Sequence, residues 1–441
     1  MSSGSGKVAI LGVDSLPPKL IQAKPDYFPF LSSLQVENSL CPIRSCDPPI
    51  TIPAWSVITT GRDPGELGTY GFRNRATRGY MEYELSSSRR VKYPRLWDLV
   101  TEGQQAFVMG IPQTYPPTPM NGILVSGILT PGLDEHWIEP PSEGQEFLNL
   151  AGGDYLFDVN GYRTESRGPL MEELTRMLDQ KERIIPSYLR SNFQFFMSVV
   201  IGSDRINHAF WKYVFKDHPR HEQCEQYSDF FRDYYYRLDA LLKYWYEMGK
   251  ELGYEVIILS DHGAKSLKGV FCLNEFLIQQ GYLVLKREVE SGGVLEVADV
   301  DWTRTSLWAD GGYCGRIYVN KKGREPRGIV SSPSEIYSRL CTDLKDLEKQ
   351  SGVSMDLHLT SNLYARCAGV PPDFILYAGE LDFRCAGRIH KNTLFLEDND
   401  TGPDGVNHDF YGLIAGDVGE KPPAKIQDVF AMVSRMLRGQ E

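Results

Sequence analysis

Long apolar runs are missing from the sequence. No stretch approaches the roughly 20 apolar residues that a membrane-spanning helix needs. No charged segment followed by an apolar run marks a secretory signal near the start of the chain. These two absences argue against a membrane protein and a secreted one. We therefore expect a cytoplasmic protein without a membrane partner.

Paired cysteines are missing as well. The eight cysteines are scattered along the chain, and none forms a Cys-x-x-Cys motif. This distribution is typical of reduced, structural thiols in a cytoplasmic protein. The close pair Cys41 and Cys46 leaves one disulfide open as an alternative.

Positive charge is in deficit, because the net charge at pH 7 is −11. The field of such a chain repels nucleic acids and anionic membranes, so we expect no nucleic acid polymer as a partner. A small anionic substrate that is held by metal ions is easier to reconcile with this charge. The oligomeric state is not indicated by the sequence.

Internal repeats and low-complexity linkers are also missing, so nothing divides the chain into separate units. Residues 1–6 are Ser and Gly after Met, which indicates a tag remnant or a disordered N-terminus. Residues 7–441 are long enough for one large α/β domain with an ample core. An aromatic, acidic stretch followed by a helical pattern predicts an insertion around 131–190, over the edge of a sheet.

Three apolar runs of the kind that forms buried parallel strands each lead into acidic or imidazole side chains. The runs are 8–13, 193–201 and 254–259, and the side chains that follow them are Asp14, Asp204, His208, Asp261 and His262. Taken singly, each is more typical of a helix cap, a surface pair or a turn. Ligands bind at the carboxyl edge of open α/β sheets, and several buried ionisable groups at one edge need a cation. His408, beside a further apolar run, is a candidate last ligand, although a lone histidine is usually structural.

A short helix with a hydroxyl at its start is predicted between Thr51 and Gly61. Thr51 is a preferred N-cap residue, Pro53 suits the first turn, and Gly61 supplies the left-handed stop. A hydroxyl at that position faces free N–H groups and the positive end of the helix dipole. Such a threonine can attack a phosphate, although most capping threonines only cap.

The loop after this helix, 62–75, is interrupted by glycine and proline. Arg73, Asn74 and Arg75 are candidate phosphate donors there, with ordinary solvated side chains as the alternative. Phe72 offers an aromatic face that suits an ester substituent.

Five motifs, in chain order, resemble those of the alkaline phosphatase superfamily, in particular its type I phosphodiesterase/nucleotide pyrophosphatase branch and its predicted phosphohydrolase and phosphomutase relatives. The motifs are Gly12-Val13-Asp14, Thr51-Ile52-Pro53-Ala54-Trp55, Asp204-x-x-x-His208, Ser260-Asp261-His262-Gly263 and Asn407-His408. The resemblance implies an α/β fold with an alkaline-phosphatase-like core. In such a core a mostly parallel central sheet has helices on both faces and insertions over its C-terminal edge. Residues 7–441 would form a single catalytic domain, with a cap insertion around 131–190.

The resemblance also implies two divalent metal ions, zinc by expectation, with manganese or iron as alternatives. Asp204, His208 and His408 would hold one ion. Asp14, Asp261 and His262 would hold the other, with Thr51 between the two ions as a ligand and as the catalytic nucleophile. Phe72, Arg73 and Asn74 would bind the substrate.

The implied activity is a phosphodiesterase or nucleotide pyrophosphatase that acts on a small phosphorylated substrate through a phospho-threonine intermediate. A phosphomonoesterase, a phosphomutase or a phosphonate hydrolase on the same fold is the alternative. A non-catalytic metal-binding module is the least favoured interpretation, because all six metal ligands of the family pattern are present.

Overall fold

The computed structural model describes residues 6–159 and 161–439, so residues 1–5 of the expected N-terminal tag lie outside the described residues. The strands of the described chain follow in order: β1 (Val8–Val13), β2 (Leu40–Arg44), β3 (Arg73–Arg75), β4 (Tyr83–Leu85), β5 (Ala106–Ile111), β6 (Gly122–Ser126), β7 (Ile138–Glu139), β8 (Phe195–Val200), β9 (Glu255–Leu259), β10 (Gly263–Ser266), β11 (Gly269–Cys272), β12 (Leu307–Asp310), β13 (Gly315–Val319), β14 (Met355–Leu359), β15 (Phe374–Ala378), β16 (Phe383–Ala386), β17 (Phe395–Leu396), β18 (Val406–Asp409) and β19 (Tyr411–Gly416).

The α-helices are α1 (Pro18–Ala23), α2 (Pro29–Val36), α3 (Thr51–Thr60), α4 (Pro64–Leu67), α5 (Gly144–Ala151), α6 (Arg167–Leu189), α7 (Gly202–Val214), α8 (Glu225–Glu251), α9 (Leu273–Gln279), α10 (Pro333–Ser351), α11 (Thr360–Leu363) and α12 (Val429–Leu437). In the described ranges, none of the helices combines the length and the apolar character that crossing a bilayer requires.

The central sheet is mostly parallel, as predicted. Its strand order is β2-β19-β9-β1-β8-β5-β6-β7. The five strands from β9 to β6 run parallel to one another, whereas β19 and β7 pair antiparallel with β9 and β6. The three strands that precede the candidate site residues, β9, β1 and β8, are therefore neighbours.

Helices cover both faces of this sheet because its central strands are apolar on both faces. In β1, Leu11 and Val13 face a core formed with α6, α7 and α8. Val8 and Ile10, one residue out of step, face a second core formed with α3 and α12. This alternation is the period of two expected for a strand, and it confirms the predicted α/β class.

A second sheet is inserted between β10 and β18. Its strand order is β12-β13-β15-β16-β11-β17, with β14 added on β15, and it has a separate hydrophobic core around Trp308 and Phe276. The strands that flank the insertion, β10 and β18, pair with each other antiparallel. The chain therefore leaves the central sheet after β9, forms the second sheet, and returns through β18 to the end of β9, where β19 joins the central sheet.

Residues 131–190 lie partly along the edge of the central sheet. Strand β7 extends that edge, and α6 packs against α7 and α8. Between α5 and α6, Tyr162 and Arg163 reach the cavity described below. The function of this segment as a cap stays a prediction.

The cysteines are all free thiols. Cys41 and Cys46 are therefore not joined, and the disulfide that the sequence left open does not form in this structure.

Candidate active site

Asp14, Asp261 and His262 lie side by side because their strands are neighbours. Gly12 of β1 pairs with Leu259 of β9, so Asp14 and Asp261, each two residues further on, lie at the same level. His262 Nε2 is 3.6 Å from Asp14 Oδ1 and 3.2 Å from Asp261 Oδ2. The three side chains are fully buried.

Asp204, His208 and His408 form a second group beside the first. Asp204 and His208 share one face of α7, as their spacing predicted. Asp204 Oδ1 is 3.4 Å from His208 Nε2 and 3.8 Å from His408 Nε2. His408 comes from β18, where it pairs with Ala264 of β10, and this ribbon brings it back to the carboxyl end of β9.

The two groups form one continuous cluster. The rings of His262 and His408 stack with centroids 3.9 Å apart and an interplanar angle of 17°. Ligand atoms of Asp204, His262 and His408 lie within 4.8 Å of one another, and so do those of Asp14, Asp261 and His262. The structure thus brings the six predicted ligands together, with His262 at the centre, and their division between two ions stays a prediction.

Each histidine is oriented by a hydrogen bond at its outer nitrogen. Nδ1 lies 2.7 Å from Asp404 Oδ1 in His208, 3.0 Å from the Gly263 carbonyl in His262, and 2.7 Å from the Pro49 carbonyl in His408. A carbonyl or carboxylate oxygen accepts, so the proton is on Nδ1. Each Nε2 therefore points into the cluster, where its lone pair would be available to a metal ion once any proton on it is displaced, the arrangement found in metal-binding histidines.

Five buried ligand-type atoms lack a hydrogen-bond partner among the described residues. They are Asp14 Oδ1, Asp204 Oδ1, Asp261 Oδ2, His208 Nε2 and His408 Nε2. A buried acceptor without a donor costs about 1–3 kcal/mol, and more if charged. The three carboxylate oxygens are acceptors, and so are the two imidazole nitrogens once deprotonated, so divalent cations would satisfy all five together. A set of imidazole and carboxylate ligands suits zinc, manganese or iron.

Burial dominates the electrostatics of the first group. It raises the pKa of Asp14, which the Asp204 carboxylate raises further. It likewise raises the pKa of Asp261, where Asp14 adds to the effect. Burial lowers the pKa of His262 to about 4. Without a cation this group is therefore driven toward neutrality, which a bound metal ion would reverse.

His208 and Asp204 behave differently because they pair with opposite charges. Burial by itself would lower the pKa of His208, but Asp404 and Asp204 outweigh it and raise that pKa to about 10. Burial by itself would raise the pKa of Asp204, but His208 and Arg205 hold it well below its usual range. Asp204 is thus an anion ready to bind a cation.

Thr51 is the first residue of α3, which corrects the predicted N-cap. The N-cap is Ile50, whose extended backbone (φ −121°, ψ 135°) places the helix start one residue later. Within the described chain the Thr51 hydroxyl makes no capping bond, and Oγ1 is instead 3.1 Å from His262 Nε2. The hydroxyl still lies at the helix N-terminus, beside the six ligands. Gly61 ends the helix in the left-handed conformation, as predicted (φ 66°).

Trp55 was missed as a site residue by the sequence analysis. Its indole Nε1 donates a 2.6 Å hydrogen bond to Asp14 Oδ2, which turns Asp14 Oδ1 toward the cluster. Gly12 makes room for this contact, because a Cβ there would lie 2.7 Å from the Trp55 ring. The signal was present in the sequence, since Trp55 is one turn after Thr51 on the same helix.

Asp404 was also missed. It is buried, and it accepts hydrogen bonds from His208 Nδ1, Arg163 Nε (2.8 Å) and Arg384 Nη1 (3.2 Å). The available signal was weak, because Asp404 lies in a Gly-Pro-Asp-Gly turn before His408, where aspartate is common for conformational reasons alone.

A cavity of about 690 Å³ opens beside the cluster, between the two sheets. Tyr313 of its wall stacks on the His408 ring with centroids 3.7 Å apart, and Tyr162 lies 5.2 Å from the His208 ring. Phe72 and Arg73 line the cavity, so the structure brings these two predicted substrate-binding residues to the site.

Asn74 does not reach the cavity, which corrects its predicted contact with substrate. It is buried in β3, its Oδ1 accepts from the Tyr70 N–H, and its Nδ2 donates to the Gly71 carbonyl and Ser86 Oγ. Side chains alternate along a strand, so Asn74 points away from the face that Arg73 presents. Its amide holds the loop that carries Phe72.

Comparisons with known proteins agree with this geometry. The family model described as "Type I phosphodiesterase / nucleotide pyrophosphatase" matches residues 8–408. No curated protein sequence matches the chain. Murine ectonucleotide pyrophosphatase/phosphodiesterase 5, solved as an inactive variant in complex with AMP, has 11% sequence identity and a TM-score of 0.53, over 98% of this chain and 95% of that one.

Phosphonoacetate hydrolase from Sinorhizobium meliloti 1021, solved in complex with phosphonoformate, has 13% identity and a TM-score of 0.57, over 98% of this chain and 96% of that one. At these identities, the two structures support the fold. The family match covers most of the chain, from β1 to His408. The chain therefore belongs to the type I phosphodiesterase/nucleotide pyrophosphatase family, and it is a hydrolase of phosphoester or phosphonate bonds.

Proposed function

We propose that this protein is a binuclear metal-dependent phosphodiesterase that acts through a phospho-threonine intermediate on Thr51. The observation that carries the proposal is the set of five unpartnered, buried ligand atoms beside a hydroxyl at a helix N-terminus. Asp204, His208 and His408 would hold one ion, and Asp14, Asp261 and His262 the other, with Thr51 between them. Zinc is the expected metal, given the mixed imidazole and carboxylate ligands.

When bound, the two divalent ions would supply the Lewis acidity that favours the ionised forms of a hydroxyl and a water at neutral pH. Thr51 Oγ1 would attack phosphorus in line. The new Oγ1–P bond would replace the bond to the leaving ester oxygen, which departs as an alcohol or phenol. Water would then cleave the Oγ1–P bond and restore the Thr51 hydroxyl. The free N–H groups at the start of α3 would stabilise negative charge on the phosphoryl oxygens.

The cavity supports a diester in preference to a monoester. Phe72 and Tyr313 are two of the four aromatic residues in its wall, and the second ester substituent of a diester can pack against them. A monoester dianion would need an additional cation at the phosphorus. Arg75, one candidate for that function, is buried within 3.5 Å of Glu325, away from the cavity, which leaves the exposed Arg73 as the other candidate in this loop.

The proposal is tested by metal analysis and a substrate screen on the purified protein. We expect close to two divalent ions per chain, and faster hydrolysis of p-nitrophenyl diesters or nucleotide diesters than of p-nitrophenyl phosphate. A higher specificity constant for monoesters or phosphonates would replace the proposal with a phosphatase, phosphomutase or phosphonate hydrolase. Absence of both metal and turnover would indicate a non-catalytic module.

A further inference from the structure

The wall of the cavity is rich in arginine. Among the described residues it carries six arginines but three aspartates, although the whole chain has a net charge of −11. Local charge of this sign in an acidic protein indicates that the cavity binds anions.

Two of the six arginines are neutralised by carboxylates of their own. Arg205 donates to Asp158 and to Asp204, and Arg316 pairs with Asp310. Arginines held in this way can serve the structure without binding a ligand. The excess positive charge of the cavity therefore comes from the other four arginines, Arg73, Arg163, Arg384 and Arg388.

Arg163 and Arg384 are different because they share one carboxylate. Both guanidinium groups donate to the same oxygen, Asp404 Oδ2, at 2.8 and 3.2 Å. The other oxygen of Asp404 is occupied by His208 Nδ1. One negative charge thus faces two adjacent positive charges, and a further anion would offset the charge that remains.

Arg384 also has an unsatisfied donor. Arg384 is 6% exposed and lines the cavity. Its Nε has no hydrogen-bond partner among the described residues. A buried, charged donor without an acceptor costs more than a neutral one. An oxyanion in the cavity would satisfy it with a charge-assisted hydrogen bond.

Two tyrosines fix where this pair lies relative to the metal ligands. The Arg384 guanidinium carbon is 5.2 Å from the centre of the Tyr313 ring, which stacks on His408. The Arg163 guanidinium carbon is 4.9 Å from the centre of the Tyr162 ring, which is close to His208. One aromatic ring thus separates each arginine from a proposed metal ligand, which places the pair next to the proposed metal centre.

We propose that Arg163 and Arg384 form a second anion subsite, and that the physiological substrate is a phosphorus ester with an additional oxyanion, a carboxylate or a phosphate, on a short ester arm. The proposal rests on the proposed phosphodiesterase function. It adds that the substrate carries two separate anionic groups, one at the metal centre and one at the Arg163–Arg384 subsite.

A matched pair of substrates tests the subsite on the metal-loaded protein. The probes are p-nitrophenyl 2-carboxyethyl phosphate and its carboxamide, which has nearly the same shape without the charge. A third ester, with a terminal phosphate on the same arm, distinguishes a carboxylate from a phosphate as the preferred group. We expect the charged ester to have a kcat/KM about 10-fold or more above that of the carboxamide, mainly through KM, since one charge-assisted bidentate contact is worth roughly this factor.

Substitution of the two arginines shows whether they cause the preference for the charged ester. Arg384→Gln and Arg163→Gln should each reduce the ratio between the charged and uncharged esters to less than about twofold, whereas Arg384→Lys should keep part of it. The ratio of the two kcat/KM values is the informative quantity. Both esters are cleaved at the same metal centre, so a general loss of activity or of metal lowers both values equally and leaves their ratio unchanged. Arg232→Gln, an exposed arginine on α8 that pairs with Asp229 and Asp233, removes the same charge far from the cavity and should leave the ratio unchanged.

Three results would overturn the subsite: equal kcat/KM values for the two esters in the wild type, an unchanged ratio in both glutamine variants, or loss of the preference in Arg73→Gln instead. If the metal-loaded protein cleaves neither ester, the phosphodiesterase proposal fails. The subsite is then tested separately by titration calorimetry, which measures the binding of two phosphonates that differ in one charge. Tighter binding of 3-phosphonopropionate than of 3-phosphonopropanamide, lost in Arg384→Gln, would retain the subsite. Equal binding of the two would reject it.

Discussion

His208 Nδ1 lies 2.7 Å from Asp404 Oδ1, and both side chains are buried. The contact holds the His208 ring at the nitrogen that faces away from the cluster. Asp404, which is not a proposed ligand itself, is therefore important for metal binding.

Asp404→Asn should therefore weaken metal binding by about 10- to 100-fold, because the amide no longer supplies the negative charge that raises the basicity of His208. The measurement is a competition titration of the apoprotein with zinc and a chromophoric chelator. Asp400→Asn is the matched control, since Asp400 also lines the cavity but lies 3.8 Å from His390 and away from the ligands. Equal zinc affinity in the two variants would contradict the positioning role of Asp404.

Thr51→Ala should lower turnover by about three orders of magnitude or more while leaving metal content and folding nearly intact, because it removes the nucleophile and only one buried methyl group besides. Thr59→Ala, which deletes the same atoms from the same helix, is the control, because the Thr59 hydroxyl bonds to the Trp55 carbonyl and not to the cluster. Turnover close to that of the wild type in Thr51→Ala would move the nucleophile to another residue.

Chelation of the metal should abolish activity and lower the melting temperature, since the ions bind the folded chain far better than the unfolded one. Calorimetry with and without chelator measures the shift, and elemental analysis measures the content. His408→Ala should lose about one ion of the two. Full activity in excess chelator would refute a metal-dependent mechanism, whereas loss of both ions in the variant would mean that the two sites are coupled.

Arg73→Ala should cost little with p-nitrophenyl diesters, because a diester has no additional charged oxygen for this arginine to bind. Specificity constants for a matched diester and monoester in the wild type and the variant provide the test. If monoesters are clearly better substrates, and Arg73→Ala removes that preference, Arg73 binds the phosphate and the enzyme is a monoesterase or a mutase.

Stability should depend on pH through Lys181, a buried residue of α6 whose Nζ is 3.0 Å from the Tyr155 hydroxyl. Burial lowers the pKa of Lys181 from 10.5 to about 7. Between these two values the unfolded chain binds a proton that the folded chain does not, so the contribution of Lys181 to the free energy of unfolding rises with pH across this window.

Lys181→Met should consequently raise the melting temperature at pH 6, where the buried ammonium is destabilising, and the gain should shrink as the pH approaches 10. Differential scanning calorimetry of both proteins across this range checks the trend. A gain that is independent of pH would show that the lysine is not desolvated in its charged form.

The central strands and the carboxylates that follow them could be predicted from the sequence because both are locally encoded, whereas the metal-binding role of these side chains stays a prediction. Each apolar run is a complete strand, and Asp14, Asp204 and Asp261 follow their strands within a few residues. The second sheet could not be predicted in the same way. Its strands are short, and partners such as β11 and β16 are distant in sequence, so the pairing depends on tertiary contacts that no local pattern contains.

The details of the site were less predictable than its ligands. Whether Thr51 is the N-cap or the first helical residue depends on the backbone of Ile50, and helix boundaries are uncertain by a residue or two at sequence level. Asn74 was an attractive phosphate donor because amides bind oxyanions, but the same amide can hold a turn. The contact of Asp404 with His208 joins two residues that the second sheet separates in sequence, so it becomes visible only once the chain has folded.

The pairing of His408 with Ala264 has a consequence for how the enzyme is assembled. The last proposed ligand arrives on β18, after the second sheet, so a nascent chain that has made the five parallel strands of the central sheet still lacks it. Binding of the metal would then show that the second sheet has folded and that β18 has paired with β10. If His408 holds an ion as proposed, a destabilising substitution near Trp308 in the core of the second sheet would first weaken the retention of that ion, before the central sheet loses any stability of its own.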